Sequence, residues 1–214
     1  MIGLNSRRSR DVAAVLTIMM WTLAATPAWA HHPMDGKTPE TLMQGVLSGL
    51  GHPVIGPDHF AFILAIGIAA ALLHSGRAII GAFIAASTAG VLIHLARVDV
   101  PMVEALVALS VVAGGAAIAV GRGLGQPGWL AFATLAGLLH GYAFGEAVIG
   151  AEQSVVGAYL VGIAVVTAAI ASGVMVASRR LFALAETLDQ RRRAAGAVLG
   201  VVGVGLVALS FVGA

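Results

Sequence analysis

The amino-acid sequence predicts an all-α, polytopic membrane protein with about six transmembrane helices after a cleavable signal peptide. Three observations support this fold class: an excess of apolar residues, a series of long apolar blocks, and an uneven distribution of arginines between the blocks. Of the 214 residues, 59% are hydrophobic and 10% are charged, and the mean hydropathy is +0.96. Because a soluble domain carries roughly 25% charged residues, this chain lacks the polar atoms that a water-facing surface needs.

The composition also excludes several functions. The net charge is only +2 despite an isoelectric point near 9.7, and most arginines lie between apolar blocks, which indicates membrane orientation and not nucleic-acid binding. The sequence contains no cysteine, so any metal must be held by nitrogen and oxygen ligands. We find no phosphate-binding loop, no nucleophilic-serine motif and no H-E-x-x-H motif, and we expect neither enzymatic activity nor ATP hydrolysis.

Residues 1–30 have the features of a secretory signal peptide. Three arginines within residues 7–10 precede an apolar stretch at 12–23, and Ala28 and Ala30 supply the small residues that a signal peptidase recognises. An uncleaved anchor helix is the alternative interpretation. Both alternatives place the following residue on the outer side of the membrane.

Two histidines, His31 and His32, follow the predicted cleavage site. After cleavage their imidazoles and the free α-amine could together bind a divalent transition metal. The alternative is a polar, frayed terminus without a ligand role.

Residues 31–214 are predicted to form a single transmembrane domain, with a periplasmic N-terminal segment at 31–56 and six spans within 57–212. A helix needs roughly 20 apolar residues to cross a bilayer. Six continuous blocks meet or approach this length: Pro57 to Leu73, Ala78 to Ala96, Val103 to Val120, Trp129 to Ile149, Val155 to Ala177, and Ala194 to Val212.

The basic residues between the spans predict the orientation. With His31 outside, the outer segments carry only Lys37 and Arg97, and the cytoplasmic loops carry seven arginines: Arg77, Arg122, Arg179, Arg180, Arg191, Arg192 and Arg193. This distribution follows the positive-inside rule. It predicts a bacterial inner-membrane protein whose mature termini are both periplasmic. The loop from Ser178 to Arg193 is predicted to form a short amphipathic helix at the cytoplasmic surface.

Ionisable residues inside membrane spans are costly and therefore mark candidate sites. Most of those in this chain fall in the outer half of the predicted spans: His52, Asp58, His59, His94, Glu104, His140 and Glu146. The alternative for His140 is a helix-to-helix hydrogen bond, and the alternative for Glu104 and Glu146 is an interfacial cap. His94 is the weakest candidate.

The string HPVIGPDH, which begins at His52, contains the strongest candidate site. Gly56 permits a tight turn, and Pro57 suits the first position of a helix. The chain can therefore fold His52 back over Asp58 and His59. Two imidazoles and a carboxylate would converge there, and such donors suit nickel, cobalt, copper, zinc or iron. The alternative for Asp58 is simple capping of the helix N-terminus.

A short helix is expected before this string. Thr38 and Pro39 predict its cap and first residue, and Gly51 predicts its end. Pro53 should hold His52 outside helical geometry.

These motifs resemble the HupE/UreJ family of bacterial nickel and cobalt permeases. The resemblance covers essentially the whole mature chain and rests on the signal peptide that ends before a histidine, on HPVIGPDH, on PMVEALVALS in the third span and on HGYAFGE in the fourth. It implies uptake of Ni²⁺ or Co²⁺ from the periplasm, with His52, Asp58 and His59 as the selectivity site. It further implies roles for Glu104, His140 and Glu146.

The resemblance also implies what the protein works with. The ion is a transported substrate and not a tightly bound cofactor, and in this family it typically serves hydrogenase, urease or cobalamin assembly. The lipid bilayer surrounds the spans. Two other functions stay open: a metal-binding accessory or sensor protein without transport, and a membrane-embedded metalloenzyme that uses the same ligands.

Overall fold

The computed structural model describes residues 37–121, 124–183 and 188–212, which all belong to one compact unit. Their regular secondary structure is helical, without strands. The helices are α1 (Leu42–Ile55), α2 (Pro57–Ala71), α3 (Gly76–Leu95), α4 (Val103–Val120), α5 (Gly125–Gly145), a 3₁₀ helix (Glu146–Val148), α6 (Gln153–Ala183) and α7 (Leu188–Val212). The predicted signal peptide lies outside the described residues.

Four of these helices are long and apolar enough to cross a membrane, namely α3, α4, α6 and α7, and the bent pair of α1 and α2 raises the number to five. Helix α5 has the length of a span, at 21 residues, but its glutamine, histidine and glycines lower its mean hydropathy. The all-helical membrane fold is therefore confirmed. The count of six spans stays a prediction.

Helices α1 and α2 join at Gly56 with a bend of 78°. Gly56 ends α1 and caps α2 in an extended conformation (φ −73°, ψ 108°), and Pro57 takes the first position of α2. The pair therefore forms either one broken span or a re-entrant turn, with the break at the HPVIGPDH string.

The predicted bounds of α1 are wrong at both ends. The helix is capped by Thr41, whose side chain forms a capping box with Gln44 that satisfies two amide donors, while the Thr38 hydroxyl donates to the Ile149 carbonyl. The helix also continues past Gly51 through His52 and Pro53. A proline removes one amide hydrogen bond, and Pro53 nevertheless lies buried within the C-terminal part of α1.

Helix α1 packs lengthwise on α6 through glycines. A Cβ atom on Gly45 would lie 2.7 Å from the Val155 carbonyl oxygen, and one on Gly49 would lie 2.1 Å from that of Tyr159. Both distances are too short for any real side chain. The contacts advance together along both helices, so α1 and α6 run in the same direction with their backbones in close approach.

Arginines close the C-termini of two helices at one end of the bundle, here called the arginine-rich end. Arg179 of α6 donates to the Leu73 carbonyl just beyond α2 at 3.2 Å, and the buried Arg192 of α7 donates to the Ala119 carbonyl in the last turn of α4 at 2.9 Å. These carbonyls have no partner within their own helices, and a cation is favourable beside them.

The opposite end of the bundle, here called the arginine-poor end, contains Arg97 and the residues that follow α3 and α5. There the Tyr142 hydroxyl donates to the Val98 carbonyl at 2.7 Å and Thr38 donates to the Ile149 carbonyl at 3.3 Å. The bundle therefore has two chemically different ends. The membrane side that each end faces stays a prediction.

The predicted amphipathic helix between Ser178 and Arg193 is wrong. Residues 178–183 continue α6, and α7 begins at Leu188. Extending an existing helix adds one hydrogen bond for each residue fixed, and Arg179, just past the apolar block of α6, is held by the carbonyls of Ala70 and Leu73.

Replacing Gly49 by valine should destabilise the protein, because the added atoms collide with the backbone of α6. Overpacking of this kind costs about 1–3 kcal/mol or more. We expect a lower midpoint of thermal unfolding in detergent, followed by circular dichroism. The matched control is Gly157→Val on α6, where a Cβ atom meets nothing within 4 Å. Equal midpoints for the two variants would contradict the close packing of α1 on α6.

Candidate metal site

The bend between α1 and α2 brings the side chains of His52 and His59 together. Each histidine is only 3% exposed, and the ring centroids lie 5.6 Å apart in an edge-to-face arrangement. Asp58 is partly buried beside them; its Oδ1 accepts the backbone N–H of His59 at 2.8 Å and lies 4.0 Å from His59 Nε2. The structure thus brings together the two imidazoles and the carboxylate that the sequence placed near one point.

His140, which is fully buried in α5, connects this group to α4. The Nδ1 atoms of His59 and His140 are 2.8 Å apart, and His140 Nε2 lies 2.9 Å from Ser110 Oγ. The Ser110 hydroxyl in turn donates to the Val107 carbonyl at 2.6 Å. A continuous hydrogen-bonded chain therefore runs from α2 through α5 to α4.

A second hydrogen-bonded chain starts at His52. His52 Nδ1 lies 2.8 Å from the Tyr159 hydroxyl of α6, and that hydroxyl donates to the Phe144 carbonyl of α5 at 2.7 Å. Tyr159 follows the first residue of α6 by six positions, or about 9 Å along the helix axis. The site therefore lies between one and two helical turns inside the bundle from the arginine-poor end.

Three phenylalanines enclose the imidazoles. The Phe144 ring centroid lies 4.2 Å from that of His59, and the Phe62 and Phe83 centroids lie 4.5 and 5.6 Å from that of His140. All three phenylalanine side chains are at most 1% exposed. In such surroundings a hydrogen bond is stronger than in water, and a polar group without a partner is more costly.

His94 lies apart from these chains, in α3. Its Nδ1 donates to the Tyr142 carbonyl at 2.8 Å. Together with Arg97 and Asp99 it lines a shallow cavity of about 380 Å³ at the arginine-poor end. The structure therefore places His94 nearer the surface than the imidazole pair.

The two predicted carboxylate ligands outside the HPVIGPDH string are exposed. Glu104 lies in the first turn of α4, and Glu146 begins the 3₁₀ helix after α5. Neither belongs to the hydrogen-bonded chains described above. His31 and His32 lie outside the described residues, so the ligand roles of all four residues stay predictions.

Within the part of the chain that the structure describes, no three His, Asp or Glu side chains are arranged to hold one metal ion. The Nδ1 atoms of His52, His59 and His140 all take part in hydrogen bonds.

Two residues that hold the imidazoles, Ser110 and Tyr159, are not among the site residues predicted from the sequence. A signal for Tyr159 was present, because the chain has only two tyrosines and this one lies inside an apolar block. Ser110 is less conspicuous, since serines in membrane helices commonly bond to their own helix backbone.

The fold and the site together define a polytopic membrane protein with a buried imidazole group at a helix break, the arrangement found where ions or polar solutes move through a bilayer. The family model described as HupE / UreJ protein matches residues 18–206. The chain therefore belongs to the HupE/UreJ family, as its motifs predicted. This transporter and accessory family is generally linked to nickel and cobalt uptake. Comparisons with curated proteins and with solved structures found no match.

Replacing Gly56 by alanine should displace the His59 ring without unfolding the protein. The added Cβ atom would lie 2.7 Å from His59 Cδ2 and 3.3 Å from Asp58 Oδ1, so the flexible side chains must move. In nitrogen-15 NMR of histidine-labelled protein, we expect the His59 and His140 signals to shift while those of the distant His94 stay unchanged. Unchanged signals for all three histidines would show that Gly56 does not hold the ring in place.

Proposed function

We propose that this protein is an inner-membrane permease that takes up Ni²⁺ or Co²⁺ from the periplasm, and that the ion passes through a site formed by His52, Asp58 and His59. The observation that carries the proposal is the convergence of these side chains at the break between α1 and α2. Ionisable side chains are costly inside a membrane and usually mark ion pathways. Discontinuous helices line the substrate sites of many transporters.

The donor set supports this choice of ion. Imidazole nitrogens bind nickel and cobalt well, and a carboxylate either joins them or orients them. Because the chain has no cysteine, the thiolate ligands that favour softer ions are absent from the sequence. Membership of a family linked to nickel and cobalt uptake supports these two ions over the other divalent metals that imidazole accepts.

The proposed route begins at the arginine-poor end, which we assign to the periplasm by the positive-inside rule. The exposed carboxylates Glu104 and Glu146 lie at this end and would raise the local cation concentration. His31, His32 and His94 are proposed as further outer contacts for the ion. The ion would then lose part of its water shell at His52 and His59, and it must bind there weakly enough to leave inward.

The sequence contains no phosphate-binding loop, and we therefore propose facilitated diffusion or ion-coupled movement. The downstream users of the metal, by analogy with the family, are hydrogenase, urease or cobalamin assembly.

His59→Ala should lower accumulation of labelled Ni²⁺ and Co²⁺ at least tenfold, because it removes one of two imidazoles that meet the ion. Uptake is measured at trace metal concentration in cells that lack their own permeases, with membrane levels matched by blot. His74→Ala is the control, since His74 is exposed in the turn after α2. Background uptake by the native chain would sink the permease proposal, and metal binding without uptake would favour an accessory or sensor role.

Asp58→Asn separates a ligand role from helix capping. Asp58 lies in the first turn of α2, after the N-cap Gly56, so asparagine loses only the favourable charge interaction with the helix N-terminus, worth about 0.3–1 kcal/mol, and retains an oxygen for the His59 amide. We expect unfolding temperatures within a few degrees of native and at least a tenfold loss of metal uptake. Native-level uptake would leave Asp58 with the capping role alone.

A further inference from the structure

The hydrogen atoms of the buried chains can be assigned from their fixed ends. A backbone carbonyl only accepts hydrogen bonds, and a serine hydroxyl has a single hydrogen. Ser110 donates that hydrogen to the Val107 carbonyl at 2.6 Å. In the 2.9 Å contact between Ser110 Oγ and His140 Nε2, the histidine must therefore be the donor.

The position of the hydrogen on His140 determines the tautomer of His59. Neutral His140 with its hydrogen on Nε2 has a lone pair on Nδ1, so in the 2.8 Å contact between the two Nδ1 atoms His59 donates. The unprotonated nitrogen of neutral His59 is then Nε2. This is also the ring nitrogen that lies 4.0 Å from Asp58 Oδ1.

The second chain leads independently to the same tautomer of His52. Tyr159 donates its hydroxyl hydrogen to the Phe144 carbonyl at 2.7 Å. His52 Nδ1, at 2.8 Å from the Tyr159 oxygen, must therefore donate. Neutral His52, like His59, has its lone pair on Nε2.

We propose that Ser110 and Tyr159 are positioning residues that hold His59 and His52 as Nδ1–H tautomers and so make Nε2 the metal-binding atom of each ring. The inference rests on the proposed function and specifies its chemistry. A metal-binding imidazole donates its second ring N–H to a partner that fixes its tautomer and orientation. Here the partners are another histidine, which is anchored through Ser110 to the Val107 carbonyl, and a tyrosine, which is bonded directly to the Phe144 carbonyl.

The same geometry gives His140 a different role from the one that the sequence suggested. Its Nδ1 accepts from His59 and its Nε2 donates to Ser110. Both ring nitrogens are engaged, so His140 acts through His59 and is a positioning residue, not a ligand.

Ser110→Ala should weaken Ni²⁺ and Co²⁺ binding to the purified full-length chain by about 10- to 100-fold, the usual cost of losing a residue that orients a ligand, and should raise the KM of uptake more than it lowers the maximal rate. Ser110→Thr, which keeps the hydroxyl, should restore most of the affinity. The matched control is Ser210→Ala, since Ser210 also donates to the carbonyl three residues earlier but has no hydrogen bond to a histidine of the described ranges.

The tautomers can also be measured in the native protein, so that the test does not depend on the folding of the Ser110 variants. Nitrogen-15 NMR of the native, histidine-labelled protein should show hydrogen on Nδ1 of His52 and His59 and on Nε2 of His140, and Tyr159→Phe should change only the pattern of His52. Hydrogen on Nε2 of neutral His59 would overturn the inference.

Different results would overturn the proposed function and the tautomer inference. A native chain that neither binds nor transports the metals would overturn the proposed function and this inference together. A native chain that transports normally, with equal metal affinity in Ser110→Ala and Ser210→Ala, would overturn the inference alone.

Discussion

A polar group inside a bilayer has no water to bond with, so it must find its partners within the protein. This constraint organises the core of the molecule. Three buried imidazoles, those of His52, His59 and His140, lie in a shell of phenylalanines, and their hydrogen bonds end on main-chain carbonyls of α4 and α5 through Ser110 and Tyr159. Every bond except that of Ser110 to the Val107 carbonyl joins different helices, so the polar chains also hold α1, α2, α4, α5 and α6 in register.

The break between α1 and α2 makes this arrangement possible. A straight helix would place His52 and His59 seven residues apart along one axis, about 10 Å, whereas the 78° bend at Gly56 brings their rings to 5.6 Å. The bend is held by close packing on both sides: Gly49 lets α1 approach α6, and the absent side chain of Gly56 leaves room for the His59 ring. Gly49 and Gly56 therefore contribute to the site because their lack of a side chain leaves room for α6 and for the His59 ring.

The two ends of the bundle differ in the charged side chains that they carry. Arginines occupy one end, where Arg179 and Arg192 bond to carbonyls near the ends of α2 and α4. The imidazole group lies nearer the other end, where the exposed carboxylates Glu104 and Glu146 are found. The charge pattern that orients a membrane protein thus also closes its helix termini, because helix C-termini favour cations.

The sequence by itself determined the all-helical membrane fold, the family, and the grouping of His52, Asp58 and His59, because apolar blocks and short-range spacing are local properties of the chain. Local rules failed for the ends of α1, which packs on α6 at Gly45 and Gly49 and continues through Pro53. Only the tertiary structure decided the partners of the imidazoles, since Ser110 and Tyr159 lie 30 residues from His140 and 107 from His52 along the chain. Which ring nitrogen carries hydrogen depends on these distant contacts, and residue spacing contains no information about them.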